Sequence, residues 1–301
     1  MKKELPILLF AMWLLSACVK DDISNCSGVM HFNFSYLSGG TNRFFELVET
    51  DVHFSHYKEG NVYRETTIRR SDIDINTPWR VEKTPDDKDT IGVVAWSHDD
   101  ALIYTAPAPS LESGNVHLKE ITEGSGICLP VKDLFYGNLK FDAGDRQEQN
   151  RVIVPCERAI CRIRITVIPQ TIEPGEEEPS TRENTPNSGN YVIQVLGTYN
   201  EIDYNNITKG EQIILQPGCF FDEESGNVMT HWFGAFSSGD EAIMVNIYLD
   251  GVQIAHFDCT PVGLNSIPGR FIDLVVDGRY AHPMMEVRVN GWKVADVKSD
   301  M

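Results

Sequence analysis

The feature that most constrains this chain is a recurring alternation of apolar and polar residues with a period of two. Val29-Met30-His31-Phe32-Asn33-Phe34-Ser35-Tyr36 shows it first. Arg162-Ile163-Arg164-Ile165-Thr166-Val167-Ile168, Tyr191-Val192-Ile193-Gln194-Val195-Leu196 and Met244-Val245-Asn246-Ile247-Tyr248-Leu249 repeat it. Successive side chains of an extended strand point to opposite faces, so the pattern predicts half-buried strands of antiparallel sheets. No stretch of a dozen residues carries a capped helical stripe, and only a short helical turn is expected over 131–136. Leu249-Asp250-Gly251-Val252 predicts a two-residue hairpin turn, because Asp-Gly supplies the positive φ that such turns require. Asp277-Gly278, after Ile272-Asp273-Leu274-Val275-Val276, is read the same way. Short strands separated by Gly, Pro and Asn turns argue for β-sandwiches, and 301 residues leave room for two.

The N-terminus has a different grammar. Met1-Lys2-Lys3 precedes an apolar run over 5–15, which ends in Leu15-Ser16-Ala17-Cys18. A basic start, a short apolar core and small residues at a cut site are the parts of a secretory signal. The run is too short for a spanning helix, which needs roughly 20 residues. Leu-Ser-Ala-Cys resembles a lipobox, so cleavage is expected between Ala17 and Cys18, with 1–17 as the signal and Cys18 carrying covalent lipid. Each buried methylene contributes about 0.8 kcal/mol, so several acyl chains hold firmly where one is marginal. Cys18-Val19-Lys20-Asp21-Asp22 resembles the export signal of surface lipoproteins in Bacteroides-type bacteria. On that resemblance Lys20, Asp21 and Asp22 direct the protein to the outer face of the outer membrane, with 18–27 as a spacer.

A formal net charge of −18 disfavours nucleic acid and anionic membrane as partners. Beyond Cys18 there are six cysteines, Cys26, Cys128, Cys156, Cys161, Cys219 and Cys259. An exported chain can pair them, although buried thiols are an equally ordinary use of cysteine. Cys156 and Cys161 would face opposite sides of one continuous strand and could not bond. The same argument separates His53 from His56, so a shared metal there would need a bend. Pro85-Asp86-Asp87-Lys88-Asp89 reads as a solvated acidic turn, with too few spaced oxygens for a calcium loop. Glu223-Glu224 and Asp240-Glu241 are carboxylate pairs of unknown separation, which alone make no glycosidase. No nucleophile elbow, zinc motif or phosphate loop is present, so neither an enzyme nor a metal or other cofactor is expected. Trp96 and Trp292 are read as core residues, while Trp79 and Trp232 could pack in a core or stack on sugars.

Three local patterns carry a further resemblance. Asp133-Leu134-Phe135-Tyr136-Gly137 follows Leu129-Pro130. Next come Val152-Ile153-Val154-Pro155 and Arg158-Ala159-Ile160-Cys161-Arg162-Ile163-Arg164-Ile165, and near the end Val287-Arg288-Val289-Asn290-Gly291-Trp292-Lys293-Val294. In that order, behind a lipobox, they resemble the FimB-like minor fimbrillins, the lipoprotein anchor subunits of type V pili. The resemblance implies two tandem transthyretin-like antiparallel β-sandwiches, 28–156 and 157–298, with 169–190 as an acidic loop. It also implies an anchor or accessory subunit at the base of a fimbrium, whose partners are pilus shaft subunits joined by β-strand complementation. Val287, Val289, Trp292 and Val294 mark the expected strand-exchange segment. Stalk subunits of this group are activated at an arginine, but Arg69-Arg70 is expected to stay uncut here as ordinary surface charge. The alternative is a surface glycan-binding lipoprotein of a nutrient-uptake system.

Overall fold

A computed structural model describes residues 28–84, 87, 90–97, 99–104, 110–111, 113–144, 151–169, 189–280 and 282–300. Cys18, Lys20, Asp21, Asp22 and Cys26, like residues 170–188 of the acidic loop, lie outside the described residues.

The first twelve strands are β1 (Val29–Ser35), β2 (Leu37–Ser38), β3 (Thr41–Asn42), β4 (Val52–Lys58), β5 (Asn61–Ile68), β6 (Trp79–Glu82), β7 (Thr90–Ser97), β8 (Leu102–Tyr104), β9 (Asn115–Leu118), β10 (Ile127–Cys128), β11 (Phe135–Asp142) and β12 (Val152–Arg158). The rest are β13 (Cys161–Ile168), β14 (Tyr191–Asp203), β15 (Thr208–Leu215), β16 (Cys219–Asp222), β17 (Asn227–Thr230), β18 (Phe233–Ala235), β19 (Met244–Leu249), β20 (Val252–Asp258), β21 (Phe271–Asp277), β22 (Met284–Val289) and β23 (Trp292–Lys298). Among the described residues one four-residue α-helix, α1 (Phe44–Leu47), accompanies them. The fold is all-β, as the alternation predicts.

The first large sheet runs β5-β4-β7-β11-β12-β1-β6, with β1 parallel to β12. Its inner face carries alternate residues of β1, namely Met30, Phe32 and Phe34, together with Phe54, Val93 and Val154, all buried. Phe32 lies 5.0 Å from Phe54 and 5.7 Å from Phe141, both edge-on. Such offset aromatic pairs add about 0.5–1.5 kcal/mol each beyond area burial. The two ends of the sheet meet: the Arg64 guanidinium on β5 donates to the Glu82 carbonyl on β6 at 3.4 Å. Tyr63 on β5 donates its hydroxyl to Asp87, just past β6, at 2.6 Å. The sheet is therefore rolled around its aromatic core.

The second sheet runs β10-β15-β14-β19-β20, and the third β16-β17-β13-β21-β22-β23. They face each other across Ile163, Ile165, Ile193, Val195, Val245, Ile247, Leu274 and Val287, all fully buried in one continuous core. The same core extends to Trp96, Leu102 and Val116. Pairing crosses the middle of the chain. The thirteen-residue β14 pairs with β19 through 191–196 and with β9 through 201–203. Strand β10 pairs parallel with β15. Residues 156 and 157 lie within β12.

Several local expectations are corrected. Residues 131–136 form no helical turn: Val131 makes an isolated bridge to Gly234, and β11 begins at Phe135. Asp277-Gly278 is not a two-residue turn, since β22 starts only at Met284. Gly278 instead packs where an added Cβ would lie 2.9 Å from the Ile168 carbonyl oxygen. The Asp250-Gly251 turn forms as expected, with φ of 51° and 82°, and Asn290-Gly291 makes the same turn at 51° and 85°. Asp87 is not solvated but fully buried. The acidic spacing does not reveal this, because its partner Tyr63 is remote in sequence. The five described cysteines beyond Cys26 are free thiols, and burial raises the pKa of each.

Candidate functional site

The end of the chain is a β-hairpin on the margin of the third sheet. Its strands alternate as the sequence pattern requires: Met285, Val287 and Val297 point into the core. On the other face Arg288 donates to Glu286 at 2.5 Å, and Lys293 Nζ lies 3.2 Å from Glu286 and 2.9 Å from Asp296. These cations, Arg288 first, hold the Glu286 carboxyl below its usual range. The network is solvent-exposed, so it orders the hairpin surface more than it stabilises the fold.

β23 is an edge strand. Its register against β22 passes from Ala295 opposite Val287 to Lys293 opposite Arg288, so Val294 is the extra residue of a β-bulge. Bulges at edges disrupt the ladder and deter unprogrammed pairing. Val294 is 57% exposed and Trp292 78% exposed. Trp292 is thus not the core residue that the sequence reading expects, because no further strand covers it. The four proposed strand-exchange residues therefore divide: Val287 is core, Val289 is half-buried against it, and Trp292 and Val294 face solvent.

The second sheet ends at β20, which also bulges, at Ile254, and exposes 65% of Val252. The two edges are tied at their C-terminal ends. The Asp300 N–H donates to the His256 carbonyl at 3.1 Å, and the His256 N–H donates to Ser299 Oγ at 3.2 Å. Sequence reading does not identify β20 as an edge, because strand order across a sheet is not written in alternation.

The three sequence patterns behind the resemblance meet at one corner. Asp133 accepts both guanidinium bonds of Arg158, at 2.8 and 2.9 Å. The Arg158 guanidinium also lies 5.1 Å from the ring centroids of Phe135 and Phe271. Asn290 joins from the C-terminal hairpin, its Oδ1 accepting the Phe271 N–H at 3.0 Å. A buried bidentate pair such as Asp133 and Arg158 is costly to break, about 3–5 kcal/mol when one partner is removed. It ties the entry to β11 to the end of β12, and the third sheet reaches the same corner through Phe271 and through Arg162 on β13, 3.9 Å from Asp133. Arg69-Arg70 lies at the short 3-10 turn Arg70–Asp72 after β5. Arg70 donates to the carbonyls of Val48, Ile73 and Phe45 at 2.6–2.7 Å, so only Arg69 is surface charge.

His53 and His56 point to opposite faces of β4, and among the described residues no three His, Cys, Asp or Glu side chains converge as metal ligands. No described helix is long and apolar enough to cross a membrane. Trp96 is fully buried, and the Trp79 indole nitrogen is buried without a hydrogen-bond partner.

The fold is shared with solved structures of low sequence identity. A candidate polysaccharide-binding protein from Bacteroides thetaiotaomicron superposes with a TM-score of 0.62 at 14% identity, covering 88% of this chain and 96% of that one. A candidate adhesin from Bacteroides ovatus gives 0.60 at 12% identity, covering 89% and 94%. The fimbrial anchor protein Mfa2 from Porphyromonas gingivalis gives 0.55 at 13% identity, covering 89% and 99%. No curated protein matches the sequence. The family model for the fimbrillin-A associated anchor proteins Mfa1 and Mfa2 matches residues 23–298, and the chain belongs to that family of fimbrial anchors, a structural rather than an enzymatic one.

Proposed function

We propose that this protein is an anchor or accessory subunit of a type V fimbrium, held at the outer membrane by lipid on Cys18. In this reading it joins a shaft subunit by β-strand complementation at the C-terminal edges. The observation that carries the joint is β23, an edge strand that presents Trp292 and Val294 to solvent beside a buried core row. Main-chain bonds along such an edge supply affinity, and side-chain pockets supply selectivity. The bulge at Val294 restrains indiscriminate pairing, which leaves the edge to a partner able to cover the two apolar side chains. Cys18, followed by Lys20, Asp21 and Asp22, supports the lipid tether and the surface address.

The test is a denaturing gel of unboiled outer membranes from the native cell, probed for this protein. A strand-exchanged assembly gives a ladder or high-mass smear that collapses on boiling and contains shaft subunits. A monomer band before and after boiling overturns the strand-exchange joint and favours the glycan-binding lipoprotein. Cys18→Ala is expected to release the protein from the membrane fraction.

A further inference from the structure

At the margin of the third sheet opposite β23, strands β16 and β17 carry a second aromatic surface. Phe220 on β16 is 39% exposed and stacks on His231, with ring centroids 4.5 Å apart and planes 25° apart. Trp232 follows, half-buried and held in place on its other contacts. Phe271 meets it edge-on at 5.7 Å, and the guanidinium groups of Arg164 and Arg162 lie 4.9 and 5.8 Å from its ring. Phe220, His231 and Trp232, with Pro130, Lys132 and Pro217, line a cavity of 330 Å³ open to solvent. That volume falls in the range of small-ligand sites, about 300–1,000 Å³.

Among the described residues, no hydrogen bond or ion pair engages the His231 ring nitrogens, the Trp232 indole N–H or Lys132 Nζ. His231 and Lys132 are exposed residues, and the half-buried Trp232 keeps its indole nitrogen out of the buried atoms that lack a partner. An entirely apolar ligand would strip water from these groups and return no hydrogen bonds, which is unfavourable. A small inorganic ion would leave the rings and prolines unused. A sugar ring meets both demands, because it has an apolar C–H face and a rim of hydroxyls.

We infer that this cavity binds a hexopyranose unit of a glycan, its C–H face against the Phe220, His231 and Trp232 wall and its hydroxyls toward Lys132, His231 and the Trp232 N–H. The site would give the anchor a grip on a saccharide surface that is independent of its fimbrial joint. It does not rest on the strand-exchange reading, since it lies on the other margin of the sheet.

The test is saturation-transfer NMR on the full chain with methyl β-D-galactopyranoside, methyl β-D-glucopyranoside, methyl α-D-mannopyranoside and N-acetyl-D-glucosamine. At least one is expected to receive saturation, most strongly at its ring C–H protons. Phe220→Ser, at an exposed edge position, should weaken that sugar about tenfold, the equivalent of one aromatic stacking contact. Lys132→Ala should weaken it less, and both variants should keep the parent's melting temperature. Trp232→Ala would also disturb Arg162 and Arg164, so Trp232→Phe is the informative change there. Absence of transfer to all four sugars overturns the inference, as does transfer left unchanged by Phe220→Ser and Trp232→Phe together.

Discussion

Strands β5 and β23 are both edge strands and both carry a bulge, yet the molecule treats them in opposite ways. In β5 the extra residue is Tyr63, and its hydroxyl reaches Asp87 to close the first sheet on itself. In β23 the extra residue is Val294, which is left in water beside Trp292. A bulge re-aims a side chain, and what that side chain finds decides whether an edge is sealed or left available. One edge is guarded by an intramolecular contact; the other leaves its bulged side chain in solvent.

Asp87→Ala should unseal the guarded edge, with the largest effect. The carboxylate is buried and accepts the Tyr63 hydroxyl, the Thr84 N–H and the Thr84 hydroxyl, with Arg64 at 3.7 Å. Loss of this acceptor should cost about 3–4 kcal/mol in urea unfolding. Burial alone would raise the Asp87 pKa, but these donors outweigh it and hold the pKa below the usual carboxylate value. Its contribution is therefore present above that usual value and lost as pH falls through the depressed one. Unchanged stability in the variant would mean that the roll is not held there.

The His56 ring sits behind the same seal, fully buried, both nitrogens without partners, edge-on to Phe32 and Phe54. Burial, then repulsion from Arg64, pushes its pKa down to about 4, with Asp87 opposing. The unfolded chain therefore takes up this proton more readily. Stability should fall as pH drops from 6.5 toward 4, by about 3 kcal/mol in total, and level off below. His56→Leu should flatten that stretch of the stability–pH curve; an unaltered slope would assign it to other groups.

Arg70→Ala tests the turn that follows the sealed strand. The guanidinium satisfies three carbonyls and lies 5.4 Å from the Phe45 ring, so its loss should cost about 2 kcal/mol. The same contacts withhold Arg70 from a protease pocket. Native protein treated with an arginine-specific protease should stay intact at this bond, and cleavage there would show that the turn opens.

The smallest effect on stability belongs to the open edge. Trp292→Lys with Val294→Lys should change monomer unfolding by less than about 0.5 kcal/mol, since both side chains are already in water. If the edge is the joint, the same pair should abolish the heat-labile ladder. A ladder that survives would move the joint elsewhere.

Much of this architecture is legible in the sequence, and the misreadings share one cause. Alternation locates Met244–Leu249 to the residue, because it is a local property of a strand. Trp292 misleads because a large aromatic is an ordinary sandwich-core residue, while its exposure depends on β23 having no further neighbour. Asp87 misleads for the converse reason: its burial depends on the meeting of two sheet ends. Asp133 and Arg158 each stand in a recognisable pattern, but nothing local says that they pair across 25 positions. The Phe220 and His231 stack is invisible for the same reason, since it forms only when β16 and β17 pair.

β14 has a mechanical consequence. One strand, bulged twice along its length, is stitched to β19 at one end and to β9 at the other, so residues 115–118 complete the second sheet. A molecule fixed at its N-terminus and loaded near its C-terminus would pass tension from the first sheet, which shares no ladder with the other two among the described residues, through the Arg158 corner.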